Sequence, residues 1–193
     1  MGARRLMRWT LSHRSDPRAR VLADRHYNRQ SIGADGFVPP GRCMVLLSTC
    51  ARAFWVTSWP FAEYVKHAWG GAWICSAFRN EGAGLSSELI REAVAATCWR
   101  WPVPAQGMIT FVDEDKVRHK RDPGRCYGKA GFHRPICLDC IGAAPIPLPR
   151  ATCPTCRGSG LARTRGGLIV WQLLPADMPP PEMPTGAQAA LAL

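Results

Sequence analysis

The stretch from Trp73 to Trp101 most constrains what this chain can become. The run Trp73 to Phe78 is aromatic and apolar, Arg79 to Gly84 is polar and carries two glycines, and apolar residues then return at Leu89, Ile90, Ala93, Val94 and Thr97. The first run predicts a buried strand, the glycines a loop, and the 3–4 residue spacing a helix. Ser86 or Ser87 suits the N-cap and Glu88 the positive end of the helix dipole, while backbone amides after Gly82 and Gly84 are suited to holding an anion. An ordinary strand-to-helix turn has the same local signature.

Around that unit the chain reads as a mixed α/β domain. Leu6 to Ser12 predicts a first strand. Asp16 followed by Pro17 marks a helix start, with Asp as cap and Pro in the first turn. Ala19, Leu22, Ala23 and His26 then share one face, so His26 looks inward with Tyr27 beside it. A histidine so placed is either a satisfied core residue or a functional one. Residues 28–42, with three glycines and two prolines, form a loop long enough to line a site. Cys43 to Ser48 and Ala53 to Trp59 read as a hairpin. Met108 to Val112 is an apolar strand that ends on Asp113, a position where open α/β sheets place ligands. A turn cap or an arginine partner is the plainer role for that carboxylate. Gly124 to Gly131 is a short segment carrying Tyr127, and Gly167 to Leu174 is a last strand, paired back onto the residues around His133. The tail from Pro175, rich in Pro and Ala, is expected to be flexible.

The long gap inside that last hairpin holds Cys137 and Cys140, then Cys153 and Cys156, each pair spaced Cys-x-x-Cys and followed by glycine. Two intervening residues let both thiolates reach one ion, and four thiolates make a closed tetrahedral site, so a structural zinc is expected. Four-thiolate iron or a redox dithiol is the alternative. The domain plan is a core of residues 1–134 and 166–175, a zinc-ribbon insertion over 135–165, and a tail over 176–193. The other thiols, Cys43, Cys50, Cys75, Cys98 and Cys126, read as buried small apolar residues. Trp55, Trp59, Trp69 and Trp73 offer aromatic faces, though such spacing is commoner in cores.

The 193 residues carry a formal charge of +11. Eight arginines fall between Arg4 and Arg29 against Asp16 and Asp24, and seven basic residues from Lys116 to Arg134 face only Asp122. Such clusters are the footprint of a nucleic-acid binder, or of a basic protein that binds nothing anionic. Lys116, Arg118, Lys120, Arg121, Arg125 and Arg134 are the candidate DNA contacts. The start has no apolar leader run and no stretch of about 18 uncharged apolar residues occurs. A cytoplasmic protein with reduced thiols and no membrane partner is expected.

The succession of elements resembles the Gcn5-type (GNAT) acetyltransferase superfamily, whose pyrophosphate loop pattern is matched by Arg79, Gly82 and Gly84. A closer resemblance is to the Mom-type phage DNA modification proteins, a divergent branch of that fold. It rests on His26 and Tyr27, Phe78 to Asn80, Ser86 and Ser87, Thr110 to Asp113, and Tyr127 with Ala130 to Phe132, over residues 5–174 apart from the cysteine insertion. The resemblance implies a GNAT-like mixed central sheet flanked by helices, the four-cysteine ribbon being extra to it. It further implies transfer of a carbamoylmethyl group to the N6 amine of adenine in DNA, which protects phage DNA from restriction, in the cytoplasm of a bacterial host. His26, Tyr27, Asp113 and Tyr127 become the candidate catalytic residues and possible iron ligands. Arg79, Gly82, Gly84, Ser86 and Ser87 become candidates for binding a small-molecule group donor, acetyl-CoA among the options. An acetyl-CoA-dependent N-acetyltransferase and a non-catalytic zinc-ribbon DNA-binding protein are the competing functions.

Overall fold

A computed structural model describes residues 7–117, 122–140 and 153–187. Its elements are β1 (Trp9–Ser12), α1 (Pro17–Asp24), β2 (Arg42–Ser48), β3 (Ala53–Trp59), β4 (Trp73–Asn80), α2 (Ser86–Arg100), β5 (Met108–Val112), α3 (Arg125–Lys129) and β6 (Ile169–Leu173). The strands form one sheet in the order β1-β2-β3-β4-β5-β6. All neighbours are antiparallel except β4 and β5, which are parallel because α2 carries the chain back between them. No helix among the described residues is long and apolar enough to cross a membrane.

Each helix covers one face. Leu89, Ile90, Ala93, Val94 and Ala96 of α2 pack with Trp9, Leu46, Trp55, Trp73, Met108 and Leu173, all buried. On the opposite face Ala19, Leu22 and Ala23 of α1 pack with Val45, Leu47, Phe54 and Val56. Trp55 and Trp73 are thus core residues, as their spacing allowed. Asp16 caps α1 as its sequence predicts. Its carboxylate accepts from the Arg18 amide at 2.9 Å and from the Ser12 hydroxyl at 2.8 Å. The Arg18 guanidinium, foremost among these partners, holds the Asp16 carboxyl well below the usual range despite burial.

The parallel pairing is short. β4 and β5 are joined only through Trp73 with Met108, Ile74 with Ile109 and Cys75 with Thr110. Beyond Cys75, β4 continues along β3 as far as Asn80, and β5 continues along β6 as far as Val112. The sheet is therefore split at its carboxyl edge. The register of β3 and β4 also shifts there, Val56 facing Ala77 and Thr57 facing Cys75, so Ser76 bulges out.

Three sequence expectations differ from the structure. The N-cap of α2 is Leu85, with no side-chain cap bond, and Ser86 instead accepts from Asn80 Nδ2 at 2.9 Å. The partner of β6 on its outer side shrinks to two isolated bridges, His133 with Gln172 and Arg163 with Ile169, because the chain leaves at once for the cysteine segment between them. The tail is held rather than loose as far as it is described. The amides of Glu182 and Thr185 donate to Ala95 at 3.1 Å and Trp9 at 2.8 Å, and the Thr185 hydroxyl donates to Met7 at 2.6 Å. β1 is an edge strand with open carbonyls, and the tail satisfies them, a pairing that Pro/Ala composition cannot reveal.

Candidate functional site

The split between β4 and β5 is filled from two distant segments. Tyr127, on the first turns of α3, is buried beneath the gap with its hydroxyl 3.6 Å from Cys75 Sγ, and its ring meets Phe78 and Phe132 edge-on at 6.4 and 5.5 Å. Thr110, the partner of Cys75 across the last parallel pair, donates to the Cys75 carbonyl at 3.1 Å and also faces the Tyr127 hydroxyl. Tyr27 enters from the end of α1. Its phenol faces the backbone amide of Asp113 and lies near the side chains of Cys75, Asp113 and Cys126. Tyr27, Asp113 and Tyr127 are thus brought together, as parts of one cluster with Cys75, Thr110 and Cys126.

Burial decides which of these groups carries charge. It pushes the Tyr27 phenol up to about 12, the Cys75 thiol up to about 12, and Tyr127 well above the usual phenol value. At neutral pH the phenols are hydrogen-bonding OH groups rather than phenolates. Asp113 supplies the carboxylate of the cluster, with its side chain 20% exposed. Its Oδ1 accepts from the amides of Asp115 and Lys116 at 3.1 and 3.3 Å, and Oδ2 lies 3.7 Å from Lys116 Nζ. The cap role is real, and it occupies Oδ1 while Oδ2 stands beside a cation.

His26 stacks on Tyr27 with ring centroids 4.5 Å apart and meets Phe54 edge-on at 6.3 Å. Burial, reinforced by the Arg79 guanidinium, lowers it to about 4. Because an unfolded histidine titrates near about 6.5, the unfolded chain binds more protons between these values. The cost of burying neutral His26 is therefore absent above about pH 6.5 and grows as pH falls toward about 4. Stability measured by denaturant titration should fall across that window, and His26→Gln should flatten the fall; an unchanged slope in the variant would show that other groups cause it.

Imidazole, carboxylate and phenol are donors that suit iron. As placed, His26 offers it no lone pair. Nδ1 accepts from the Asn28 amide at 3.2 Å, and the Phe78 carbonyl favours a proton on the ring. The four residues do not fit as an iron set in this arrangement, so His26 is read as the wall of a cavity instead. That cavity, of about 450 Å³, lies between α1, the loop after it and the bulged part of β4. His26, Asn28, Gln30, Phe37, Phe54 and Ser76 are among its lining residues.

The glycine loop is satisfied from within the chain. Asn80 Oδ1 accepts from the amides of Gly82 and Ala83 at 3.1 and 2.8 Å, and its Nδ2 donates to Gly84 at 2.8 Å. Arg79 donates to Glu81 at 2.6 Å and to the Arg25 carbonyl. Glu81, held down to about 2 by Arg25 and then Arg79, pairs with both guanidiniums and leaves one net positive charge. Gly82 has φ +91°, and a side chain there would collide with the Arg52 guanidinium. Among the described residues, the Ser87 side chain makes no hydrogen bond to this loop. Two of the amides that would cradle a pyrophosphate are therefore already bonded.

No family model, curated protein or solved structure matches this chain. What the site does has to be read from its own residues.

Charge is distributed differently from what the sequence suggests. Arg8 pairs with Glu92 at 2.8 Å, Arg18 with Asp16 at 2.9 Å, Arg20 with Asp35 at 2.5 Å, Arg25 with Glu81 at 2.6 Å and Arg29 with Asp24 at 2.7 Å. The amino-terminal arginine cluster is largely internal ion pairs, which linear charge counting cannot see because Asp35, Glu81 and Glu92 lie far along the chain. Of the second cluster, Arg125 is exposed on α3, Lys116 stands beside Asp113, and Arg134 lies half-buried over the Trp171 ring at 5.7 Å. Arg118, Lys120 and Arg121 lie outside the described residues.

The cysteine knuckles meet as their spacing predicts. The four sulfurs lie within 4.8 Å of one another, with Cys137 to Cys153 at 3.8 Å and Cys140 to Cys156 at 3.4 Å. A tetrahedron with metal–sulfur bonds of about 2.3 Å has edges of about 3.8 Å. The cluster has the geometry to hold a metal ion such as zinc. Burial would raise the Cys156 thiol, but the amide of Gly160, the neighbouring thiols and the amide of Gly158 bring it down to about 7. The segment is closed at its base, where Cys137 donates to Gly160 at 2.9 Å and Ala162 to Pro135 at 2.8 Å. One residue later Arg163 grips Glu114, the neighbour of Asp113, at 2.6 and 3.2 Å.

Sequence reasoning missed Cys75 and Cys126, and it matched Asn80 without seeing that it takes the loop amides. Cys75 and Cys126 read as apolar filler, yet both border the phenols; Cys50, assigned the same role, is exposed. A polar residue just before a glycine pair was the available signal for Asn80, since Asn commonly bonds to amides a few residues on.

Proposed function

We propose that this protein is a DNA adenine-modifying transferase of Mom type on a GNAT-like fold, with a structural zinc in the cysteine cluster. The observation that carries the proposal is convergence. Tyr27, Asp113 and Tyr127, singled out by resemblance from separate segments, meet at the split carboxyl edge of one sheet, and His26, stacked on Tyr27, links them to a cavity that it lines. The satisfied glycine loop favours this function over acetyl-CoA-dependent transfer, because Gly82 and Ala83 have already given their amides to Asn80.

The adenine N6 amine is a weak nucleophile, its lone pair delocalised into the ring, and it is inaccessible within a stacked duplex. The base is therefore bound unstacked, from a single strand or flipped out. The cavity beside His26, of about 450 Å³, is of ordinary ligand-site size. Phe37 and Phe54 supply aromatic walls, and Asn28 and Gln30 carry the amide pairing that suits an adenine edge. Asp113 accepts the N6 proton as the nitrogen forms its bond to the carbamoylmethyl carbon and the donor's leaving group departs. Tyr27 and Tyr127, kept neutral by burial, orient the cluster as hydrogen-bonding hydroxyls. DNA contacts fall to Arg125, Lys116 and the basic residues beside the cysteines.

Mass spectrometry of nucleosides from DNA of cells expressing the protein tests this. An adenine nucleoside heavier by one carbamoylmethyl group is expected. Unmodified DNA, with protein that transfers acetyl from acetyl-CoA to an amine, would transfer the assignment to the acetyltransferase; unmodified DNA with binding alone would leave a zinc-ribbon DNA-binding protein.

A further inference from the structure

At the end of the sheet opposite Asp113 lies a second and larger cavity, of about 590 Å³, between the end of β1, the start of β2 and the end of α2. Its lining includes His13, Arg14, Arg42, Arg100 and Trp101. We propose that this cavity binds a phosphorylated nucleoside, free or as one unit of a nucleic-acid strand.

The chain provides its own comparison. Arg8, Arg18, Arg20, Arg25, Arg29, Arg79 and Arg163 each have a carboxylate within ion-pair distance. Arg14, Arg42 and Arg100 have none among the described residues, and neither do Arg52, Arg91, Arg125, Arg134, Arg157 and Arg165, but only the first three gather around one cavity. Gathering like charges is unfavourable unless an anion answers them. Arg100 also complements the carboxyl end of α2, whose dipole of about half a charge accounts for one guanidinium at most. Two remain.

Two of these side chains are fixed in place. Arg14 Nη2 donates to the Gly41 carbonyl at 2.9 Å and to Cys43 Sγ at 3.1 Å. The Arg42 guanidinium lies over the rings of Trp59 and Phe61, at 5.4 and 5.7 Å from their centroids. Each keeps further N–H groups for a ligand, and a planar guanidinium matches phosphate oxygens in pairs. Beside them Trp101, half-buried, is braced by Trp59 at 5.9 Å and Trp73 at 6.4 Å. A rigid indole next to guanidiniums is the pairing that stacks a base and holds its phosphate. This class of ligand explains the aromatic and the cationic residues together, whereas inorganic phosphate explains only the second. Because the cavity lies at the opposite end of the strands from Asp113, its occupation does not depend on adenine modification.

The test is fluorescence and calorimetric titration of the full, zinc-loaded chain with deoxyadenosine monophosphate, inorganic phosphate and a short single-stranded DNA. Saturable binding of the nucleotide is expected, at least tenfold tighter than phosphate. Arg100→Ala and Arg14→Ala should each weaken it about tenfold with little change in melting temperature, and Trp101→Leu should abolish the preference over phosphate. Arg42→Lys keeps the charge and the stack while losing the paired geometry, so it should also weaken binding. Asp113→Asn, which keeps the turn cap, should bind as wild type, which separates this site from the proposed reaction. If the DNA strand binds more tightly than the nucleotide and loses affinity in the same variants, the natural ligand is nucleic acid; if not, it is the free nucleotide. No nucleotide binding, or equal binding by wild type and all the arginine variants, overturns the proposal.

Discussion

Asp113→Asn is expected to lower adenine modification by roughly 10²–10⁴-fold while leaving the fold and its melting temperature nearly unchanged. Asparagine keeps an oxygen at Oδ1, so the bonds from the Asp115 and Lys116 amides, at 3.1 and 3.3 Å, survive. What disappears is the charge at Oδ2, and with it the capacity to accept a proton from N6. The phenols cannot substitute, because burial holds Tyr27 near about 12 and Tyr127 higher still. Asp113→Ala would lose the turn cap as well and confound structure with chemistry. Quantifying modified adenine per total adenine by mass spectrometry decides the matter. Full modification by Asp113→Asn would remove Asp113 from the reaction.

The second large effect concerns the cysteine cluster. Cys137→Ser combined with Cys140→Ser should release about one zinc per chain, since two thiolates cannot close a tetrahedral site. Binding free energy at such sites reaches about 10–16 kcal/mol in small zinc-binding peptides and is coupled to folding. Around this cluster Cys137, Cys153 and Cys156 are buried chiefly against one another, with Cys140 beside them. Without the ion they have no apolar core to hold them. The loss should not stop at the insertion. Arg163 leaves the base of this segment, is 12% exposed at its side chain, and holds Glu114 through two bonds. Loosening it frees the turn that carries Asp113. Elemental analysis should therefore show zinc lost, hydrogen exchange should rise across residues 153–163 and 113–117, and modification should fall in step. Zinc content equal to wild type would refute the metal assignment. Zinc lost with modification intact would leave the metal assignment standing and sever the link to Asp113.

Much of the local structure was legible in the sequence. The strand, loop and helix at β4 and α2, the Asp16 cap, the inward face of α1 and the pairing of the cysteine knuckles all follow from neighbours fewer than about five residues apart, or from a ligand spacing that one ion enforces. Asp113 at the end of an apolar strand was also visible, together with its two roles. The resemblance picked out Tyr27 and Tyr127, but nothing in the sequence indicated that Cys75 and Cys126 lie against them. A cysteine in a strand has the same signature whether it faces a leucine or a phenol.

The sequence by itself determined which segments become strands and helices, which faces turn inward and which thiols come close enough to hold one ion, because periodicity and spacing are local quantities. Tertiary structure alone decided where the charge goes. Arg8, Arg20 and Arg25 are answered by Glu92, Asp35 and Glu81, while Arg14, Arg42 and Arg100 gather around one cavity. It also decided that the tail seals the edge of β1, that Asn80 takes the loop amides, and that β4 and β5 part after Cys75. Each depends on which distant groups come within about 4 Å. Coulomb and hydrogen-bond energies are set by that distance, whereas composition records only that the groups exist.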